Sequence, residues 1–127
     1  MQENNPHRFL LTVELINIQE AVDTWVEKVE IQELLDSAGG VSYNRSEARY
    51  KVVLADCHDG QTELIKVFVH EVFHIILFEL FEVSGDHTSF EEDIARAAER
   101  IVARHKAALW RIITGFVSES ELKQTWS

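Results

Sequence analysis

Residues 8–16, Arg-Phe-Leu-Leu-Thr-Val-Glu-Leu-Ile, are dense in apolar and β-branched side chains and follow a proline, which predicts a first strand near the centre of a sheet. From Ile18 to Ser37, apolar residues return mostly at helical spacing through Ala21, Val22, Trp25, Val26, Val29, Leu34 and Leu35. Gly39-Gly40 stops this run, so an amphipathic helix is expected there. Val41-Ser42-Tyr43 and Arg49-Tyr50-Lys51-Val52-Val53-Leu54 flank the polar stretch Asn44-Arg45-Ser46-Glu47, the pattern of a β-hairpin whose second strand runs into Ala55. After a loop from Asp56 to Gly60, a long apolar helix is predicted from about Gln61 to Val83, closed by the turn-forming Ser84-Gly85-Asp86. A second long helix opens after Thr88 or Ser89, either of which can cap it. Glu91 and Glu92 then stand near its positive end, and Gly115 ends it after about Thr114. Ser118-Glu119-Ser120-Glu121 has the capping-box arrangement of a short last helix. There is no repeat, low-complexity tract or linker. The expected architecture is α+β, a single domain over residues 1–127 in which a small β-sheet or hairpin packs on the apolar helix and the second long helix.

Composition narrows the function classes. Hydrophobic residues at 46% and charged residues at 27% of 127 suit a folded domain with its own core. With 12 Lys+Arg against 22 Asp+Glu the net charge is −10, which repels a phosphate backbone and makes nucleic acid an unlikely partner. A single cysteine, Cys57, rules out an intrachain disulfide and a four-cysteine zinc ribbon, and suits a reducing compartment. Met1 to Pro6 shows no positive segment leading into an apolar one, so a cytoplasmic protein is expected. The most apolar window, Leu64 to Val83, is long enough for a bilayer but carries Lys66, His70, Glu71, His74, Glu79 and Glu82, which argues against a membrane span.

The chemistry is concentrated in that same window, where His70-Glu71-Val72-Phe73-His74 is an H-E-x-x-H sequence. Residues four apart on a helix share a face one turn up, so His70 and His74 can offer imidazole nitrogens to one metal ion. Glu71 stands beside them, in reach of a proton on a water that the metal activates. The structural alternative is a pair of core histidines satisfied by neighbours. Context favours the metal: Val67-Phe68-Val69 precede the motif and Ile75-Ile76-Leu77-Phe78 follow it, and three polar groups in such a run are costly without a purpose.

A third protein ligand is needed. The metzincin continuation would place a histidine at position 80, which is Leu80. Glu91, Glu92 and His87 remain. On the second helix the expected core face is Ile94, Ala97, Ala98, Ile101, Val102 and His105. Glu91 lies near it, while Glu92 groups with Ala95, Arg96 and Glu99 toward solvent. Glu91 is therefore the favoured ligand, with His87 in the connecting loop as the runner-up, either as ligand or as a hydrogen-bond donor to the transition state. Zinc is the ion these donors favour, although iron, manganese and nickel accept the same set.

The order strand, helix, glycine, hairpin, then Val69-His70-Glu71-Val72-Phe73-His74-Ile75-Ile76-Leu77 and a helix opening Phe90-Glu91-Glu92-Asp93-Ile94-Ala95, resembles the small bacterial and phage zincin-like proteins. It is similar to minimal relatives of the ImmA/IrrE metallopeptidases, over about residues 40–105. The resemblance implies a minimal zincin-like domain with a gluzincin-type site: zinc on His70, His74 and Glu91, and Glu71 as general base in peptide-bond hydrolysis of a protein or peptide substrate. The chain departs from larger gluzincins at Ala95, where an aspartate one turn after the third ligand would orient a histidine.

Other features have plainer readings. Arg96, Arg100 and Arg104, with Lys106 and Arg111 near, form a basic stripe that is either a docking face for an acidic partner or a helix face paired with Glu92 and Glu99, the second being favoured. Cys57-His58 reads as loop, and Trp25, Trp110 and Trp126 as packing residues, with Trp126 tacking down the C-terminus. Tyr43 and Tyr50 are core or surface aromatics unless the hairpin edge holds an extended peptide by strand addition. Two functions are thus expected to compete: a zinc metallopeptidase, and a non-catalytic binding or regulatory module that docks a protein through the arginine stripe or the hairpin edge.

Overall fold

The computed structural model describes residues 5–83 and 88–126. Its elements run α1 (Pro6–Thr12), α2 (Leu15–Trp25), β1 (Val26–Gln32), β2 (Gly39–Asn44), β3 (Arg49–Ala55), α3 (Gln61–Phe81), α4 (Thr88–Thr114) and α5 (Glu119–Lys123). The fold is α+β. The sheet is mixed, in the order β1-β3-β2, with β1 parallel and β2 antiparallel to the central β3.

α3 is the axis of the molecule. Leu64, Ile65, Phe68, Val69, Val72, Phe73, Ile75, Ile76 and Leu77 are all buried, and a helix apolar on nearly every side must be covered by several neighbours. α4 and α2 pack against it, and the inner face of the sheet lies on it through Tyr50, Val52 and Leu54. The outer face of the sheet is polar, where Glu30 accepts hydrogen bonds from Lys28 and Gln32 that hold its carboxyl down to about 2. No helix among the described residues is long and apolar enough to cross a membrane.

The hairpin, the loop before α3, and the helices α3, α4 and α5 lie where the hydropathy pattern predicts them, and Ser118 caps α5 by accepting from the Glu121 amide. Two expectations fail at the N-terminal end. Residues 8–16 form no strand but the end of α1, a break at Val13-Glu14 and the start of α2: the Asn5 side chain accepts from the His7 and Arg8 amides, Pro6 occupies the first turn, and α1 buries Leu10. The helix expected from Ile18 to Ser37 stops at Trp25, and Val26–Gln32 pairs as a parallel strand with β3. In both cases a distant arginine holds the ending. Arg100 Nη2 donates to the carbonyls of Leu10 (3.3 Å) and Val13 (2.7 Å), and Arg49 Nη2 to those of Asp23 (3.2 Å) and Val26 (2.6 Å). These carbonyls close a helix end and would otherwise lack partners.

A third difference concerns His105. It is not a core residue but the point where α4 breaks, with φ −132° and ψ 29°, and its Nε2 faces Glu14 Oε1 at 3.6 Å. Beyond the break, Leu109 and Ile113 resume the core, and Trp110 packs edge-on against Trp126 with ring centres 5.6 Å apart. Trp126 sits where the chain forms a bridge with His58, so the C-terminus is tacked down as expected. Ser84-Gly85-Asp86 and His87 lie outside the described residues, as do the side chains of Thr88 and Ser89.

Of the arginine stripe, Arg96 pairs with Glu92 (2.7 Å) on the helix face as expected, whereas Glu99 faces Lys66, Arg104 pairs with Glu14 (2.9 Å), and Arg100 bonds to backbone. Replacing Arg100 with Met should lower stability by about 2 kcal/mol, because charged hydrogen bonds to helix-end carbonyls are lost. Arg96→Met, which removes only exposed pairs with Glu92 and Asp93 within one helical turn, should cost under about 0.5 kcal/mol. Urea melts of the two variants check the contrast.

Candidate metal centre

Helical geometry brings His70 and His74 together on one face of α3, with their Nε2 atoms 3.2 Å apart. The first turn of α4 delivers Glu91 onto both: Oε2 is 2.9 Å from His70 Nε2 and Oε1 is 2.8 Å from His74 Nε2. These three side chains, all partly buried, are the one group among the described residues whose donor atoms converge as a metal ion requires, all within 4.8 Å of one another. Glu92 points away to Arg96. His87 lies outside the described residues.

Two imidazole nitrogens and a carboxylate are a donor set that zinc accepts, as do iron, manganese and nickel. Two nitrogens held by one ion at tetrahedral angles and ordinary zinc–nitrogen distances stand about 3.3 Å apart, close to the 3.2 Å separation here. For both histidines to donate to Glu91, both Nε2 atoms must carry protons, and two N–H groups then face each other across that gap. A cation at the same point removes the conflict by accepting all three lone pairs.

Glu71 is turned about a quarter of the way round α3 from His70 and is buried, at 9% exposure. Burial, assisted by the charge of Glu91, pushes its carboxyl up from 4.5 to about 7. It lines the same cleft as the three converging side chains, a space of 690 Å³ between β2 and the two long helices. Lys66 lies one turn before His70 on the rim, bracketed by Glu63 at 3.1 Å and Glu99 at 3.9 Å.

The other wall of the cleft is Ser37 to Val41, leading into and along β2. Within the sheet β2 pairs on one side only. The Ala55 amide donates to the Ala38 carbonyl (2.8 Å), and alternation along the register then turns the backbone groups of Gly39, Val41 and Tyr43 toward the unpaired edge. Gly39 is a site residue that sequence reading took only as a helix stop. A Cβ there would lie 2.7 Å from Val67 Cγ1, 2.9 Å from the Val53 carbonyl and 3.4 Å from Glu71 Cγ, so only glycine lets β2 sit this close to α3. The available signal was a glycine opening a strand pattern, which marks close backbone approach.

The remaining candidates fall elsewhere. His58 is buried with its Nε2 on the Ala55 carbonyl (2.8 Å), and Cys57 is exposed. Tyr50 is a core residue donating to Glu79 (2.8 Å), its hydroxyl pushed up by burial and by that carboxylate, and the Tyr43 ring packs at a tilt against it from the surface. No family model, no curated protein and no solved structure matches this chain.

Two outcomes follow from this packing. Gly39→Ala should cost about 1–3 kcal/mol by overpacking, whereas Gly40→Ala, whose added carbon meets nothing within 4 Å, should stay within about 0.5 kcal/mol of wild type. Thermal melts of both variants test this. In the metal-free chain, a Glu71 carboxyl raised in the folded state stabilises fully below its unfolded value of 4.5, and this contribution is lost as pH rises through about 7. Glu71→Gln cannot titrate, so its stability relative to wild type should increase across that window, as urea melts in chelator at a series of pH values will report.

Proposed function

We propose that the chain is a zinc-dependent metallopeptidase of minimal zincin-like design, acting in the cytoplasm on a specific protein substrate. The observation that carries this reading is the meeting of His70, His74 and Glu91 in a cleft that also holds a buried Glu71 and an unpaired strand edge. The resemblance of the H-E-x-x-H helix and its partner helix to ImmA/IrrE-type metallopeptidases points the same way.

His70, His74 and Glu91 would hold the ion, and Ala95 leaves the following turn without an acid to orient a histidine. A zinc ion held there supplies Lewis acidity toward a carbonyl and a water molecule. Glu71 accepts a proton on a carboxylate oxygen as the water oxygen attacks the carbonyl carbon, and returns it to the amide nitrogen as the C–N bond breaks. Burial raises the Glu71 carboxyl in the metal-free chain, and the charge of a bound ion would favour the carboxylate form that accepts the proton. Gly39 and Val41 offer backbone donors and acceptors that an extended polypeptide can pair with, as strand addition requires. Among the described residues the cleft is walled by β2, α3 and α4 with no second lobe over it, which favours a folded partner's exposed segment over indiscriminate digestion.

Plasma mass spectrometry of untagged protein should find about one zinc per chain in the wild type and none in His74→Ala. Glu71→Gln should keep the zinc and lose hydrolysis of a fluorogenic peptide library by roughly 10²–10⁴-fold. Full hydrolysis by that variant would refute the mechanism, and zinc binding without hydrolysis by the wild type would support a non-catalytic module instead.

A further inference from the structure

Glu91 comes from the first turn of α4, and the first turn of a helix lacks half of its backbone partners and opens most easily. The position of that turn is therefore a question of what grips it. Among the described residues, α1 does so from the far end of the sequence. The His7 ring stacks on Phe90, with centres 4.4 Å apart and planes 26° apart, and its Nδ1 is hydrogen-bonded to the carboxylate of Asp93. These two contacts bracket Glu91 in sequence. Two residues further along α1, Phe9 packs on Phe81, the last residue of α3, with ring centres 5.4 Å apart. Arg100 then anchors the end of α1 to the body of α4.

α1 thus touches the end of the helix that carries His70 and His74 and the beginning of the helix that carries Glu91. We propose that α1 is a clasp that sets metal affinity: His7 and Phe9 are positioning residues that hold Glu91 at the distance from His70 and His74 that an ion needs. The proposal rests on the zinc reading of the site. Ordering the first turn of α4 before the ion arrives removes a cost that binding would otherwise meet, so the docked clasp and the bound ion favour each other. By reciprocity, whatever lifts α1 weakens metal binding by the same factor that metal binding tightens α1.

The test is a zinc titration against a chromophoric chelator at one fixed pH, on wild type, His7→Ala, His7→Phe, Phe9→Ala and Trp126→Ala. The His7 side chain is half exposed, so its variants retain the core. His7→Ala and Phe9→Ala are expected to weaken zinc binding by roughly tenfold, the scale seen when groups that orient metal ligands are removed. His7→Phe, which keeps a ring on Phe90, should recover part of that loss. Trp126→Ala removes a contact at the C-terminal end of α4 and should lower the melting temperature without changing the affinity of the folded chain. Zinc should also slow hydrogen exchange at the α1 amides, the Phe9 amide on Asn5 among them. Wild-type affinity in both His7→Ala and Phe9→Ala, or an equal loss in Trp126→Ala, overturns the clasp while leaving the zinc site standing. A wild type that binds no zinc overturns both.

Discussion

The structure depends on covering α3. A helix with apolar residues on nearly every side cannot exist at a surface, so the sheet, α2 and α4 are arranged around it and leave one face open. That opening is where His70 and His74 emerge, and where Glu71 sits just beneath the surface. The polar groups at the centre of the most apolar segment are tolerated because the surrounding elements stop short there, and the cleft and the candidate site have one origin.

How much was legible in the sequence follows the range of the forces involved. The pairing of His70 with His74 is fixed by helical repeat alone, and Glu91 could be chosen over Glu92 because a helix wheel needs only local spacing. The hairpin announced itself through alternation and a polar turn. The N-terminal third did not, because its boundaries are set by residues far along the chain. The carbonyl of Leu10 is closed by an arginine 90 positions away, and the end of α2 by Arg49 in β3. An apolar stretch such as Phe9-Leu10-Leu11 is compatible with strand or helix until such partners decide. Gly39 was misread for the same reason: its meaning lies in the 2.7 Å that separates a hypothetical side chain from Val67, and that distance exists only after β2 has met α3.

The same contrast separates the two sets of charged residues. The arginines of α4 look like a surface stripe when read along one helix, yet in three dimensions Arg100 and Arg104 fasten α1 and the segment after it, while Arg96 stays an exposed pair within its own helix. Glu71, by contrast, is buried deeply enough to raise its carboxyl, and Glu91 meets two histidines of another helix. Position in the fold, more than residue type, assigns each its part.

The open edge of β2 has a consequence for the behaviour of many copies together. An unpaired strand bordered by Val41 and the half-exposed ring of Tyr43 is a template on which a second copy can add its own β2, joining two sheets into one. Each copy carries a net charge of −10, and bringing two such surfaces edge to edge is opposed by repulsion that salt screens. Colloidal stability of this protein is accordingly tied to ionic strength, and concentrated solutions in high salt are where sheet-to-sheet association has the least to oppose it.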